Sequence, residues 1–151
     1  MMKKDYGPGV HVPPPVIYAV IFAIGVAARR WVDVRVEQPT AAMVLLVLSL
    51  SVVVWGMGTM RRARTSVLPN RPANALVDFG PFRFSRNPLY VAMTLGYVSA
   101  ALAVDAAAAL VLLPVAVAII HFGVIKREEQ YLERRFGDEY RAYCARVRRW
   151  I

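Results

Sequence analysis

Two short stretches of this chain gather side chains that could hold a polar ligand. The first is Gly80-Pro81-Phe82-Arg83-Phe84-Ser85-Arg86-Asn87-Pro88-Leu89-Tyr90, with two arginines, an asparagine, two prolines and three aromatics between apolar segments. Gly80-Pro81 is a turn signal. Pro88 suits the first turn of a helix, where its missing N–H costs nothing, and Asn87 before it is a candidate N-cap. A polar loop that starts a helix this way leaves backbone N–H groups free to receive an anionic or polar ligand. A basic loop flanking a membrane is the plainer reading. The second stretch is Glu128-Glu129, just past the last apolar run. An ionised carboxylate only accepts hydrogen bonds, so it suits a ligand's amine or hydroxyl groups. Ion pairs with Arg83 or Arg86 would account for the same residues structurally. His121 lies near the end of that run. It is either a functional residue or a neutral histidine hydrogen-bonded to a neighbouring helix.

Several chemistries are excluded. Cys144 is the single cysteine, so there is neither a disulfide framework nor a CxxC metal site. His11 and His121 are too far apart to suggest zinc. No GxGxxG, phosphate-binding glycine loop or nucleophile elbow occurs, so a nucleotide-like cofactor would have to be held without a Rossmann fold.

The elements that must position these residues are membrane helices. Hydrophobic residues make up 58% of the chain, mean hydropathy is +0.43, and the apolar residues come in long runs. The expectation is one all-α integral membrane domain over residues 1–151, with about four transmembrane helices. The runs cover residues 16–28, 41–60, 89–104 and 106–125. The first is short for a span and gains length only by taking in the prolines before it or Trp31 after it. Pro13-Pro14-Pro15 before that run argues against a cleavable signal peptide. Gly56 and Gly58 would allow close helix approach. The third and fourth runs meet at Asp105, expected to cap a tight turn. Residues 61–87 form a long polar loop of the kind that is functional or disordered. From Lys126, Leu132, Phe136, Tyr140, Tyr143 and Val147 recur at steps of four and three, one face of an amphipathic helical region that Gly137 divides.

Charge sets the expected orientation. Sixteen of the 19 lysines and arginines fall in the N-terminal segment, residues 61–87 and residues 126–151. The positive-inside rule puts these, and both termini, in the cytoplasm. The net charge of +9 is thus read as topology and contact with anionic lipid headgroups, and not as nucleic-acid binding.

The two polar stretches resemble the isoprenylcysteine carboxyl methyltransferase family. The likeness rests on Gly80-Pro81-Phe82-Arg83 and Arg86-Asn87-Pro88-Leu89-Tyr90, then a helical hairpin, then Glu128-Glu129-Gln130-Tyr131-Leu132, Phe136-Gly137-Asp138-Glu139-Tyr140, Tyr143, Val147 and Arg149-Trp150. It covers about residues 74–151, and residues 1–60 carry no such signature. It implies an integral membrane enzyme that uses S-adenosyl-L-methionine in a cytoplasmic pocket and takes a lipophilic acceptor from the bilayer. It assigns cofactor contacts to Asn74, Ala75, Leu76, Val77, Phe82, Asn87, Pro88, Leu89, Tyr90 and Glu128, with Glu129 supporting the loop. Two departures bear on the acceptor. Asparagine stands at position 87, where the eukaryotic enzymes have histidine, so no general base is assigned there. Val124 stands where those enzymes place a substrate-binding arginine. His121, Lys126 or Arg127 then becomes the candidate acceptor contact, His121 and Arg127 foremost, or the acceptor differs.

Methyl transfer from a sulfonium is an in-line displacement that needs alignment and exclusion of water. A carboxylate acceptor is already ionised and needs no base, whereas an amine must lose a proton. The expected reaction is carboxyl O-methylation of a prenylcysteine-like molecule. The alternatives are a lipid amine N-methyltransferase, which shares part of the motif, a non-catalytic lipid-binding protein, or a nicotinamide-dependent reductase on a related scaffold.

Overall fold

The computed structural model describes residues 7–10, 12–67 and 71–151; Pro69 and His11 lie outside the described residues. Every regular element is helical, and no strand occurs among the described residues. All four apolar runs form helices: α1 (Pro14–Ala27), α2 (Pro39–Arg62), α3 (Pro88–Ala103) and α4 (Ala107–Ile120). Two amphipathic helices follow, α5 (Lys126–Phe136) and α6 (Asp138–Arg146). Prolines open α1, α2 and α3 within the first turn, where a missing N–H breaks no helical bond.

Two helices, fewer than the four expected, have the length of a membrane span. α2 has 24 residues, and α4 runs without a break through a turn at His121–Ile125 into α5, making one 30-residue helix, Ala107–Phe136. Both are long and apolar enough to cross a membrane. α1 has 14 residues and α3 has 16. At about 1.5 Å per residue these reach about 21 and 24 Å, short of a hydrocarbon core of about 30 Å. The chain itself sets the limits. A 3-10 turn over Ala28–Trp31 ends α1 at its two arginines, and Asp105 adopts φ 53° to turn α3 into α4.

α2 lies along α3, and α1 lies along α4. Hydroxyl groups stitch α2 to α3: Ser49 Oγ donates to Ala92 O at 2.8 Å and Ser99 Oγ to Ala42 O at 2.7 Å. Such bonds satisfy polar groups where no water can. A Cβ on Gly56 would meet Leu89 Cδ2 at 2.8 Å, so this glycine does permit close approach, whereas Gly58 faces open space. α1 meets α4 at Gly25, where a Cβ would come within 2.4 Å of Ala109 Cα. Tyr18 and Tyr97 anchor the same core, Tyr18 sharing a 2.8 Å hydrogen bond with Thr94 and Tyr97 donating to Ala109 O at 2.8 Å. Asp105 does more than cap its turn. Its Oδ1 accepts from the backbone N–H of Val36 at 2.7 Å and Glu37 at 3.1 Å, tying the α1–α2 connection to the α3–α4 hairpin.

The outer surface is apolar. Val54 of α2 is 71% exposed and Val111 of α4 is 68% exposed, as expected where lipid replaces water.

Candidate functional site

A cavity of about 480 Å³ opens where α2, α3, α5 and α6 converge with the 61–87 loop. That volume is typical of a small-molecule site. The loop strip Ala75, Leu76 and Val77 lines it, with Phe82 and the Asn87-Pro88-Leu89-Tyr90 sequence at the start of α3. Glu128 and Glu129 reach it from α5.

The geometry at its polar side is specific. Tyr90 Oη donates to Glu128 Oε1 at 2.8 Å, which holds one carboxylate oxygen. Glu129 is spent differently. Arg149 grips it with two 2.8 Å bonds, from Nε and Nη2, and Arg86 Nη1 lies 3.3 Å from it. The expected ion pair of the glutamates with Arg86 therefore forms at Glu129 and not at Glu128, and Arg83 forms neither. The buried Nε of Arg86 has no hydrogen-bond partner among the described residues.

A helix irregularity brings the glutamates here. Ile120, Val124, Glu128 and Leu132 recur every four residues. In an α-helix of about 3.6 residues per turn, each step of four over-rotates by about 40°. The π turn over His121–Ile125 has more residues per turn and takes much of that rotation back. Ile120 and Val124 are thereby buried in the core while Glu128 faces the cavity. π turns of this kind are common at functional sites.

The C-terminal helices close the site. The apolar face predicted on the residue 132–147 stretch is present, but it packs inward: Tyr140, Tyr143 and Val147 are buried against Leu76, Leu132 and Phe136. Tyr143 Oη donates to Phe82 O at 2.6 Å. Burial pushes the Tyr143 phenol well above its usual range, so it stays a neutral donor. Tyr131 Oη accepts from Ala73 N–H at 3.1 Å, holding the loop strip to α5.

Not every expected site residue reaches the cavity. Asn74 is exposed, and its polar groups serve the loop: its N–H donates to Thr65 Oγ1 at 3.1 Å and its Nδ2 to Arg64 O at 3.2 Å. His121 stacks on Trp150 with ring centroids 6.3 Å apart, and Arg127 donates to Gly9 O at 3.3 Å; neither lines the cavity. Asn87 stands at the N-cap of α3 but does not cap it. Its Nδ2 donates instead to Arg149 O at 2.9 Å. Conversely, Pro14, Val53, Met57 and Met60, from the half of the chain without a signature, form an apolar wall with Leu89 and Met93. No local motif marks those positions. The clue to Tyr140 and Tyr143 is their aromatic hydroxyls on an otherwise apolar face.

Residues 38–139 match the model of the phospholipid methyltransferase family. The chain belongs to the phospholipid methyltransferase family. Methyltransferases of this family generally use S-adenosylmethionine. The phospholipid methyltransferase match takes in α2 through α5 and ends at the start of α6, before the tail that carries Arg149. A 27-residue stretch is 67% identical to an uncharacterized protein of Haemophilus influenzae; the match covers 18% of this chain and 43% of that protein. No solved structure matches the chain.

Proposed function

We propose that this protein binds S-adenosylmethionine in the cavity and transfers its methyl group to a lipophilic acceptor drawn from the bilayer. One observation carries the reading: a single cavity is lined both by Glu128, Tyr90 and Asn87 and by the apolar wall of Val53, Met57, Met60, Leu89 and Met93. The residues fit the methyl donor. A zwitterionic nucleoside needs a carboxylate acceptor and apolar walls, and Glu128 and Leu76 with Phe82 supply these. When bound, S-adenosylmethionine supplies an electrophilic methyl on a sulfonium sulfur. The chain's part is to align that methyl with the acceptor and to exclude water, tasks that fall to the α3 N-terminus and the α5–α6 cover.

For the acceptor we favour a lipid amine. The family match points to lipids, and Glu128 is the lining carboxylate held by a hydroxyl and not by an arginine. It can take the proton that an ammonium must lose before its nitrogen forms the new N–CH3 bond and the S–CH3 bond breaks. A prenylcysteine-like carboxylate is the second reading. The motif resemblance favours it, and Arg71 and Arg86 line the cavity as cations for it. The acceptor wall falls to α2 and α3, so His121 and Arg127 are left without that role. In this reading the shorter α1 and α3 cross with α2 and α4, both termini face the cytoplasm, and the exposed arginines of α5 and α6 meet anionic headgroups.

Purified protein incubated with radiolabelled S-adenosylmethionine and either phosphatidylethanolamine vesicles or a farnesylcysteine analogue tests this. Label in the lipid supports the amine reading, and base-labile label in the analogue supports the carboxylate one. Folded protein that neither labels an acceptor nor binds S-adenosylhomocysteine overturns the proposal.

A further inference from the structure

The tail after α6 holds both sides of the site from one residue. Val147 leaves the helix in an extended conformation, and the next residues cross the start of α3. Arg86 N–H donates to Arg148 O at 2.9 Å. The carbonyl of Arg149 accepts from Asn87 Nδ2 at 2.9 Å and from Ser85 Oγ at 3.4 Å. The guanidinium of the same residue grips Glu129 of α5 with two bonds of 2.8 Å. Trp150, stacked on His121, packs against the core of the helical bundle.

These contacts explain why Asn87 does not do what its position invites. At the N-cap of α3 an asparagine side chain ordinarily accepts from an exposed N–H of the first turn. Here the tail holds its amide, and Asn87 lines the cavity instead. The fork between Arg149 and Glu129 fixes that carbonyl. It is bidentate, and the Glu129 side chain is only 16% exposed, so it is worth more than an open surface pair.

We propose that Arg149 is a positioning residue for the methyl-donor site, anchoring the tail to Glu129 so that its own carbonyl keeps Asn87 turned toward the ligand. This rests on the cofactor reading above. Arg149 does not itself line the cavity, so it acts through Asn87 and Glu129. Replacing it frees Asn87 to cap α3.

Calorimetric binding of S-adenosylhomocysteine to the full chain in detergent tests this. Arg149→Ala is expected to weaken binding about tenfold, the size of a lost hydrogen bond to a charged group. Arg149→Lys, with a point charge in place of a fork, recovers only part of that loss. Arg141→Ala, an exposed arginine on α6, binds as wild type. In an Asn87→Ala background Arg149→Ala costs no more than about twofold, because the group it positions is gone. Arg149→Ala binding like wild type overturns the proposal. So does a full loss that persists in the Asn87→Ala background, which marks a purely structural role. If Arg149→Ala does not fold, Arg149→Lys decides by the same two criteria. Wild type that fails to bind refutes the cofactor reading, and this proposal falls with it.

Discussion

Glu128 and Glu129 are neighbours with the same side chain and opposite employment. Glu129 is neutralised by two arginines and serves as a strut. Glu128 is held by one tyrosine hydroxyl and faces the cavity. The variants of the two therefore differ in kind. Glu128→Gln keeps the shape and removes the charge, and is expected to lower S-adenosylhomocysteine affinity by about 1.5–3 kcal/mol, tenfold or more, with an unchanged melting temperature. Tyr90→Phe removes the bond that orients Glu128 and is expected to cost less, about threefold to tenfold. Titration calorimetry of both variants checks the order. Equal affinities for wild type and Glu128→Gln would take Glu128 out of the site. Gly80 is a different kind of requirement. It sits at φ 62°, and a Cβ there would approach Thr59 Oγ1 within 2.5 Å. Gly80→Ala is expected to destabilise by about 1–3 kcal/mol, seen as a lower melting temperature in detergent.

At the scale of elements, the 30-residue helix Ala107–Phe136 serves two environments, and the π turn at its middle joins them. Gly123 in that turn faces open space. Gly123→Ala should therefore leave binding unchanged. Inserting one alanine after Gly123 adds a residue beyond the one the π turn already absorbs and rotates everything after it by about 100°, carrying Glu128 and Glu129 away from the cavity. Loss of S-adenosylhomocysteine binding in the insertion variant, with helical circular dichroism retained, is the expected result. An insertion variant that binds normally would show that the register set at the π turn positions nothing. The same reasoning separates α2 from α5. Met57 lies on the apolar wall, away from the motif, so Met57→Trp should raise the KM for the acceptor while donor binding holds, measured in paired assays of the two ligands.

For the whole molecule, the apolar surface of α2 and α4 and the family together make this a membrane protein. Its basic residues crowd one end. If both termini and the 61–87 loop face the cytoplasm, single cysteines placed at residues 62 and 148 in a Cys144→Ala background will be labelled by a membrane-impermeant maleimide only after the cells are opened. A cysteine at residue 35 will be labelled in intact cells. Labelling of residues 35 and 62 from the same side would mean that α2 does not cross.

Much of this was legible in the linear chain, for a physical reason: local chemistry marks local structure. Apolar runs named four helices, Pro88 named the start of α3, Gly137 named the break between α5 and α6, and the two motif stretches named most of one wall of the cavity. Those features depend on neighbours a few residues apart. What only the tertiary structure decided depends on distance in space. Hydropathy marked the first run as short for a span, but it could not show the 3-10 turn and the left-handed Asp105 that end α1 and α3. Spacing could not assign Arg86 and Arg149 to Glu129 and Tyr90 to Glu128, since partners 20 to 43 residues apart meet only after the helices pack. Nor could it foresee that Asn87 would forgo its helix for the carbonyl of Arg149, or that Val53, Met57 and Met60 would complete a site whose motifs lie elsewhere. Sequence determines which groups are available, and packing determines which of the available bonds each group makes.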